Sequence, residues 1–280
     1  MRPKMQTNYH SIDALSNSSL SVLKRSPAEF HARFIAKTLK SEETDAMRLG
    51  SAVHMLALEP ERFAEQYEIL EGPINPSTKK VYGKDSDKFK KWLEEAQAAF
   101  NPRRVLLADE FQSSLDIAKA FQGHPEILQV MSANVEKIYE RGFELSYVVE
   151  SEEPIRLKCK PDCVIPSEGL IIDLKTTSDP NPDSWKWSAE DYGYHRQAAI
   201  YLEAMQSLYA KPFKFLFGVV RSKPPYEVGV YELTQRSIDR GWSEVTALIE
   251  DYKQRKATGD WLSSWQKGIA EVDVPERRRS

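Results

Sequence analysis

The stretch KPDCVIPSEGLIIDLKTT, residues 160–177, decides the fold. Two short apolar runs flank the turn at 166–169, and runs arranged in this way predict two antiparallel strands. Asp162 lies on the first strand and Asp173 on the second, where antiparallel pairing can bring them close enough to share a cation. Asp173 and Lys175 are two apart on one strand, so their side chains point to the same face. The stretch therefore predicts a face with two carboxylates and one ammonium group among apolar residues.

Two carboxylates beside a lysine are a set of groups that can hold a metal ion and assist hydrolysis. Hard cations such as Mg²⁺ take oxygen ligands and usually keep several waters. Beside a phosphodiester, such an ion polarises the phosphoryl oxygen and lowers the pKa of a bound water. A bare Asp-x-Lys pair more often belongs to a surface hairpin without function. Here the apolar context, the length of the turn and Pro161 before Asp162 favour a metal site.

The composition is that of an ordinary globular protein and gives no global sign of a nucleic-acid binder. The chain has 280 residues and a net charge of −3, and 41% of its residues are hydrophobic and 29% charged. Positive charge is only local, in the segment HARFIAKTLK at 31–40 and in Arg277–Arg279. No apolar run is long enough to span a membrane, and the first residues lack the apolar stretch of a signal peptide. We therefore expect a cytoplasmic protein that binds no membrane.

The order of elements predicts an α/β fold around a mixed central sheet, with a helical N-terminal portion. The predicted helices lie at 16–30 (interrupted near Pro27), 46–58, 86–100, 108–122, 124–130, 184–209 and 234–259. The predicted strands lie at 135–149, 155–165, 170–176, 213–221 and 226–233.

The hairpin resembles the signature of PD-(D/E)XK nucleases, because Pro161-Asp162 is followed after ten residues by Asp173-Leu174-Lys175. Residues 197–201 resemble the Q-x-x-x-Y motif of the RecB-like branch, and residues 50–54 resemble the helix of that branch that bears a histidine. Further segments resemble the nuclease domain of the exodeoxyribonuclease VIII (RecE) family, namely 16–20, 26–28, 49–60, 172–177 and 194–201. The resemblance covers roughly residues 8–260.

The resemblance implies a restriction-endonuclease-like fold and one nuclease domain over 1–280. Within it, 1–132 would be a mainly helical portion that carries His54. Residues 133–260 would form the sheet-bearing catalytic core, and 261–280 would be a tail.

The same resemblance implies roles for individual residues. Asp162 and Asp173 would be the main metal ligands, and the backbone carbonyl of Leu174 would complete the coordination. Lys175 would be the catalytic lysine, and His54 would reach the metal from its helix.

An acidic ligand is also expected on the first strand. Glu136 is the preferred residue, and Glu140 and Glu144 remain open because they share its strand parity. Gln197 and Tyr201, one helical turn apart, would contact DNA or support the active centre.

Other residues around the Gln197 helix are candidates for contact with DNA. Tyr194 could stack on an unpaired base or simply anchor the helix to the sheet. Arg196 could contact phosphate.

For function, the resemblance implies an exonuclease that uses Mg²⁺ or Mn²⁺ and degrades linear duplex DNA from its ends, in the 5′-to-3′ direction. It also implies a ring-like trimer or tetramer, and a single-strand annealing protein as partner in phage-type recombination. An endonuclease or a catalytically idle DNA-binding module on the same fold are the alternatives, and a structural protein whose hairpin mimics the motif is a third. Cys159 and Cys163 are too few for the four-cysteine iron–sulfur cluster of some RecB-like nucleases, so we expect no such cluster and interpret both as packing residues.

Overall fold

The computed structural model describes residues 4–6, 9, 12–40, 44–101, 104–147, 154–269 and 271–273. None of the helices in this described part combines the length and the apolar character that crossing a membrane requires. The elements follow the predicted order, with helices first and most of the strands in the second half, except that the first half also contains three short strands that were not predicted.

The N-terminal portion is mainly helical, as its apolar periodicity predicts. Ser16 caps the first helix, because its hydroxyl accepts a hydrogen bond from the backbone N–H of Ser19 at 3.2 Å. Pro27 occupies the first turn of the next helix, where its missing N–H costs nothing. The helices of this portion are α1 Asn17–Arg25, α2 Pro27–Phe30, α3 Asp45–Leu58, α4 Phe63–Gln66, α5 Asp87–Ala99, α6 Ala108–Gly123 and α7 Pro125–Ser132. Its short strands are β1 Lys4–Gln6, β2 Glu68–Leu70 and β3 Val105–Leu107.

The second half carries the remaining strands and the helices between them. The strands are β4 Ile138–Tyr139, β5 Gly142–Tyr147, β6 Ile155–Cys159, β7 Cys163–Ile165, β8 Leu170–Thr177, β9 Lys214–Arg221 and β10 Val228–Glu232. The helices are α8 Pro182–Asp191, α9 Tyr194–Tyr209 and α10 Gln235–Thr258.

The central sheet is mixed. Its strand order is β10-β9-β8-β7-β4, and β1, β5 and β6 form a separate sheet. Strands β7 and β8 are an antiparallel hairpin, whereas β8 and β9 run parallel with Asp173 opposite Phe217. A parallel pair needs a crossover connection, which α8 and α9 supply. The predicted α/β fold with a mixed sheet flanked by helices is confirmed.

The two long strands predicted before β8, at 135–149 and 155–165, are each broken in the structure. The prediction of two continuous strands was therefore wrong. The strand expected at 135–149 divides into β4 and β5 at Glu140, which has a left-handed backbone with φ of 50°. The strand expected at 155–165 divides into β6 and β7 at Pro161, which has no N–H to donate to a ladder. The two breaks face each other, because the N–H of Glu140 donates to the carbonyl of Asp162 at 3.1 Å. Cys159 and Cys163 consequently lie on different strands, and both thiols are free and buried.

The helix expected at 184–209 is also interrupted. Gly193 ends the first part and has φ of 67°, a conformation that favours glycine. A Cβ atom at this position would lie 2.0 Å from a guanidinium nitrogen of Arg196. A separate helix, α9, therefore begins at Tyr194, and Gln197 lies in its first turn.

The central sheet buries both of its faces. Ile171 and Phe217 belong to the core that also contains Ile200 of α9, and residues of α1 and α10 complete that core. Ile172 and Leu174 belong to a second core, which they share with residues of α3 and α6. Because side chains alternate along a strand, Asp173 shares its face with Ile171 and is directed toward α9.

Candidate active site

The hairpin brings its two aspartates together at the middle of the central sheet. Asp173 on β8 is completely buried. Asp162 lies just before β7, and its Oδ2 accepts a hydrogen bond from the backbone N–H of Leu174 at 2.7 Å. This bond fixes the Asp162 carboxylate beside the strand that carries Asp173, which is the arrangement that the hairpin predicts.

Lys175 lies on the same face of β8 as Asp173, as the spacing of two residues predicts. Its ammonium group pairs with Oδ2 of Asp173. The same ammonium lies 5.0 Å from the centre of the Tyr194 ring, a distance at which a cation is attracted to an aromatic face. Carboxylate and ring together restrict the directions in which this lysine can donate.

His54 reaches the hairpin from α3. Its Nδ1 lies 3.3 Å from Oδ2 of Asp162 and 3.7 Å from Oε1 of Glu140. The ring is half-buried, so it is held in place while one side stays accessible. The structure therefore places His54 next to the aspartate of the Pro-Asp motif, where the resemblance expects a ligand.

Glu140 is the acidic residue of the first strand that the structure places in this cluster. Glu136 is exposed and precedes β4, and Glu144 on β5 pairs with Arg156 at 3.3 Å. Glu136 was preferred because residues 136–139 resemble the way in which the family's segment enters the strand, and the alternation of side chains along a strand left Glu140 and Glu144 open. The left-handed backbone of Glu140 ends that alternation and turns its side chain toward His54.

Lys160 is a neighbour of the site that the sequence reasoning did not single out. It pairs with Oε2 of Glu140. The sequence feature that could have identified Lys160 is its position directly before Pro161-Asp162, where the strand is broken between β6 and β7.

Gln197 and Tyr201 of α9 contact the centre from within the protein. The Gln197 amide donates to Oδ1 of Asp173 at 2.7 Å, and the Tyr201 hydroxyl donates to the carbonyl of Lys160 at 3.4 Å. Both side chains are buried. Of the two expected roles, contact with DNA or support of the centre, the geometry favours support.

Arg196 does not face the site. It is 2% exposed, and its guanidinium donates to Glu244 Oε2 at 2.8 Å and to the Ser21 hydroxyl at 3.0 Å. Neighbouring residues of an α-helix point in directions about 100° apart, so Gln197 and Arg196 cannot both face β8. As the structure stands, Arg196 is not available to a phosphate.

Tyr194 lies between Lys175 on one side and a group of aromatic side chains on the other. Its ring is 5.7 Å from Phe217 and 6.2 Å from Trp185, both of which are buried. Tyr192 continues the row at 5.7 Å and is 65% exposed. The geometry therefore favours the anchoring role for Tyr194, and the exposed ring beside it is that of Tyr192.

Burial and charge oppose one another at the site. Burial raises the pKa of Asp173, and the charge of Asp162 raises it further. Burial acts in the same direction on Asp162, but the nearby His54 outweighs it and lowers this pKa. Burial by itself lowers the pKa of His54, yet Asp162 and Glu140 together raise it to about 10. Asp173 therefore keeps its proton to a higher pH than Asp162 does, and further positive charge would favour its ionised form.

The residues present fit a divalent cation. His54, Glu140 and Asp162 each offer a ligand atom, and these atoms lie within 4.8 Å of one another. Imidazole nitrogen and carboxylate oxygen are both ligands of divalent metals, and a bound cation would relieve the repulsion between Asp162 and Asp173. The role of the Leu174 carbonyl stays a prediction, since the observed contact to Asp162 uses its N–H.

Comparison with known proteins agrees with the fold. Residues 16–264 match the family described as "PDDEXK-like domain of unknown function (DUF3799)". No curated protein matches the chain. The crystal structure of a protein named "Putative exonuclease" from Eubacterium rectale is similar over 97% of both chains, with a TM-score of 0.60 and 13% identity. A phage related exonuclease from Haemophilus somnus 129PT is matched over 88% of this chain and 96% of that one, with a TM-score of 0.34 and 16% identity.

At 13% identity the likeness to the Eubacterium rectale structure concerns the fold alone, and the TM-score of the second structure is too low to add to it. The match to the family model is of a different kind, because it extends over most of the sequence and includes every residue of the centre from His54 to Tyr201. This chain belongs to the PDDEXK-like family DUF3799.

Proposed function

We propose that this protein is a metal-dependent DNA nuclease whose catalytic centre consists of Asp162, Asp173 and Lys175, with His54 and Glu140 beside them. The observation that carries the proposal is the convergence of these side chains from α3, the β4–β5 break and the β7–β8 hairpin. A surface hairpin that merely mimics the motif would not recruit a histidine and a third carboxylate from distant segments.

Each side chain has a role in the proposed hydrolysis. His54, Glu140, Asp162 and Asp173 would hold Mg²⁺ or Mn²⁺. The bound ion would polarise a phosphoryl oxygen and lower the pKa of a water ligand. Lys175, kept in place by Asp173 and Tyr194, would donate to the attacking water or to the phosphate as negative charge builds there. Gln197 holds Asp173 in one orientation, so that the second carboxylate oxygen stays directed toward Lys175.

We further propose a RecE-like exonuclease that degrades linear duplex DNA from its ends, in the 5′-to-3′ direction. The support is the resemblance of the segments around Ser16, His54, Asp173 and Gln197 to the RecE family. On the same basis we propose a ring-like trimer or tetramer that works beside a single-strand annealing protein in phage-type recombination. An endonuclease would use the same centre, and it would also cut closed circular DNA, which an end-dependent enzyme leaves intact.

The test is cleavage of end-labelled linear duplex with Mg²⁺ by the wild type and by the variants Asp173→Asn and Lys175→Ala. We expect each variant to lose about a thousandfold in rate, because each removes a group that acts on the reacting phosphate. Asparagine keeps the oxygen that accepts from Gln197, so Asp173→Asn should remain folded, which circular dichroism will check.

Asp85→Asn and Lys119→Ala make matched controls, since both residues are exposed and distant in sequence from the hairpin. We expect wild-type rates from them. Wild-type rates in Asp173→Asn and Lys175→Ala as well would contradict the site. A wild-type protein that binds DNA and cleaves neither linear nor circular substrate would favour the idle binding module.

A further inference from the structure

The locally basic segment 31–40 takes no part in the proposed centre, yet the structure gives it a defined place. Together with the start of β6 and the end of α10, it surrounds a cavity of about 410 Å³. This volume lies in the range of sites that hold small molecules or single groups of larger ligands. Its positively charged lining residues are Arg33, Lys37, Arg156, Lys158 and Lys256.

The charge of this cavity is opposite to that of the whole chain, which is −3. Asp13 is the acidic residue among its described lining residues. Arg33 and Arg156 each have an acidic partner outside the lining, Glu29 at 2.8 Å and Glu144 at 3.3 Å.

Lys158 donates to the backbone carbonyls of Tyr9 and Ile12 and interacts with the charge of Asp13, so the lining cations without an acidic counterpart among the described residues are Lys37 and Lys256. Lys37 and Lys256 are exposed, and no carboxylate of the described residues pairs with either of them. The cavity therefore keeps an excess of positive charge that is available to an anionic ligand.

An exposed aromatic ring lies among these cations. Phe34 lines the cavity and is 40% exposed, and its ring centre is 5.2 Å from that of the buried Phe30. Tyr252 of α10 also lines the cavity. Basic side chains interleaved with aromatic rings are the means by which proteins hold single-stranded nucleic acid, since each unpaired base offers a face for stacking.

Strand β6 connects the cavity with the catalytic centre. Lys158 lines the cavity and lies four residues before Asp162. At about 3.3 Å per residue of extended chain, the Cα atoms of the two are at most about 13 Å apart. A DNA strand that leaves the centre would need only a few nucleotides to reach this cavity.

We propose that the cavity binds a single DNA strand, namely the strand that is left unpaired when its complement is degraded. Lys37, Lys256 and Arg156 contact its phosphates, and Phe34 stacks on a base. The inference rests on the proposed DNA nuclease activity for its biological meaning, but the binding itself needs neither metal nor cleavage.

The test is fluorescence anisotropy of a labelled single-stranded oligonucleotide in EDTA, so that no cleavage occurs, over a series of salt concentrations. The double variant Lys37→Gln/Lys256→Gln removes the two unpaired cations. We expect the slope of log K against log salt to fall in magnitude by about 1.4, since each phosphate contact on single strands contributes about 0.7. Phe34→Ala should weaken binding several-fold with the slope unchanged, because stacking does not release counterions.

The matched control is Lys91→Gln/Lys119→Gln, which removes the same charge from exposed positions on α5 and α6. An equal slope change in both double variants would overturn the proposal, because binding would then follow the net charge. Absence of binding by the wild type would also overturn it. So would preference for blunt duplex together with no effect of Phe34→Ala, since the ligand would then be paired DNA.

The two proposals can fail separately. Wild-type cleavage of DNA together with unaltered oligonucleotide binding in Lys37→Gln/Lys256→Gln refutes the single-strand site and leaves the nuclease standing. Loss of binding in that variant, in a protein that cleaves nothing, refutes the nuclease and leaves the site. Repeating the titration with Asp173→Asn, which keeps the cavity intact, confirms that the binding is independent of the catalytic centre.

Discussion

Two clusters of charged side chains lie on different sides of α9, and they offer similar ligand atoms. The cluster that we call the catalytic cluster, after its proposed role, contains His54, Glu140 and Asp162. The cluster that we call the α9 network contains Glu190, His195 and Glu244. In each of them a histidine nitrogen and two carboxylate oxygens lie within 4.8 Å of one another. By ligand types and distances alone, either could be taken for a metal site.

The cations around the two clusters separate them. In the catalytic cluster, with Asp173 included, three carboxylates face the ammonium groups of Lys160 and Lys175. In the α9 network two carboxylates face three permanent cations, Lys24, Arg196 and Arg240. With histidine neutral, which is the form that ligates a metal ion, the first cluster has an excess of negative charge and the second an excess of positive charge. A divalent cation is attracted by the first cluster and repelled by the second. A metal site must therefore be judged by the net charge of its surroundings as well as by the geometry of its ligands.

The pKa values of Asp173 and Glu244, one carboxylate from each side of the comparison, shift in opposite directions. Burial and the charge of Asp162 raise the pKa of Asp173. Burial also acts upward on Glu244, but hydrogen bonds from Lys24, Arg196 and His195 lower its pKa to about 2. Lys175 alone does not offset burial and the charge of Asp162 at Asp173, and a metal ion can supply further positive charge there, whereas the cations around Glu244 already outweigh its burial. The first arrangement suits binding and catalysis, and the second suits stability.

The largest expected effect is on metal binding. Asp162→Asn should weaken Mn²⁺ binding by at least about a hundredfold, because it removes a ligand charge while its oxygen still accepts from the Leu174 N–H. Glu244→Gln should leave Mn²⁺ affinity unchanged, because the α9 network does not bind the ion. Isothermal titration calorimetry of both variants and the wild type measures this difference. Equal weakening by the two substitutions would remove the distinction between the clusters.

The sequence predicted the catalytic cluster well where residues are close along the chain. The spacing of Asp162, Asp173 and Lys175 follows from strand alternation across a short turn, and the structure brings the three together. The contact of His54 with Asp162 depends on how α3 packs against the sheet, so periodicity could not predict it and resemblance to a family did. The resemblance favoured Glu136, and strand parity left Glu140 and Glu144 open. The left-handed backbone that brings Glu140 to His54 breaks the strand, and alternation could not predict it.

The sequence did not predict the α9 network, because the residue at which α9 begins was not predicted. Arg196 and Gln197 are neighbours, and both suit contact with DNA. Which of them faces β8 depends on where α9 begins, and Gly193 sets that point. A prediction of one continuous helix over 184–209 therefore could not assign their directions. The mixed sheet and the helical N-terminal portion, in contrast, follow from apolar patterns and were predicted correctly.

The second prediction concerns the stability that the α9 network provides. Glu244→Gln removes the charge opposite Arg196, which is 2% exposed and cannot regain solvent in the folded state. We expect a loss of about 2 kcal/mol in the free energy of unfolding, since removal of one partner leaves a buried charge uncompensated. Urea denaturation followed by circular dichroism measures it.

Glu250→Gln on the same helix is the matched control. Glu250 pairs with Lys253 at 3.0 Å on the surface, where the side chain is 54% exposed. Such pairs contribute little, so we expect a change within about 0.5 kcal/mol. Similar losses from the two substitutions would mean that the burial of Arg196 does not determine the contribution of Glu244.

The third prediction decides between the two glutamates of the first strand. Glu140→Gln should weaken Mn²⁺ binding roughly tenfold, because Glu140 lies 3.7 Å from His54 and shares the cluster. Glu136→Gln should have no measurable effect, because Glu136 is exposed and outside the cluster. Calorimetry under one buffer condition compares them directly. The reverse ranking would restore Glu136 as the acidic ligand of that strand.

The smallest expected effect is the acid sensitivity of the α9 network. The pKa of Glu244 is lowered from its ordinary value of 4.5 to about 2, so the folded state binds the proton less well than the unfolded state. Its contribution is therefore fully present above pH 4.5 and is lost as the pH falls toward 2.

Protonation mimics Glu244→Gln, so the difference in unfolding free energy between wild type and variant should shrink by about 1 kcal/mol from pH 6 to pH 3. All other acidic groups are common to both proteins and cancel in this difference. Thermal or urea unfolding of the pair across that range measures it, and a difference that stays constant with pH would mean that Glu244 stabilises the fold through packing and not through its charge.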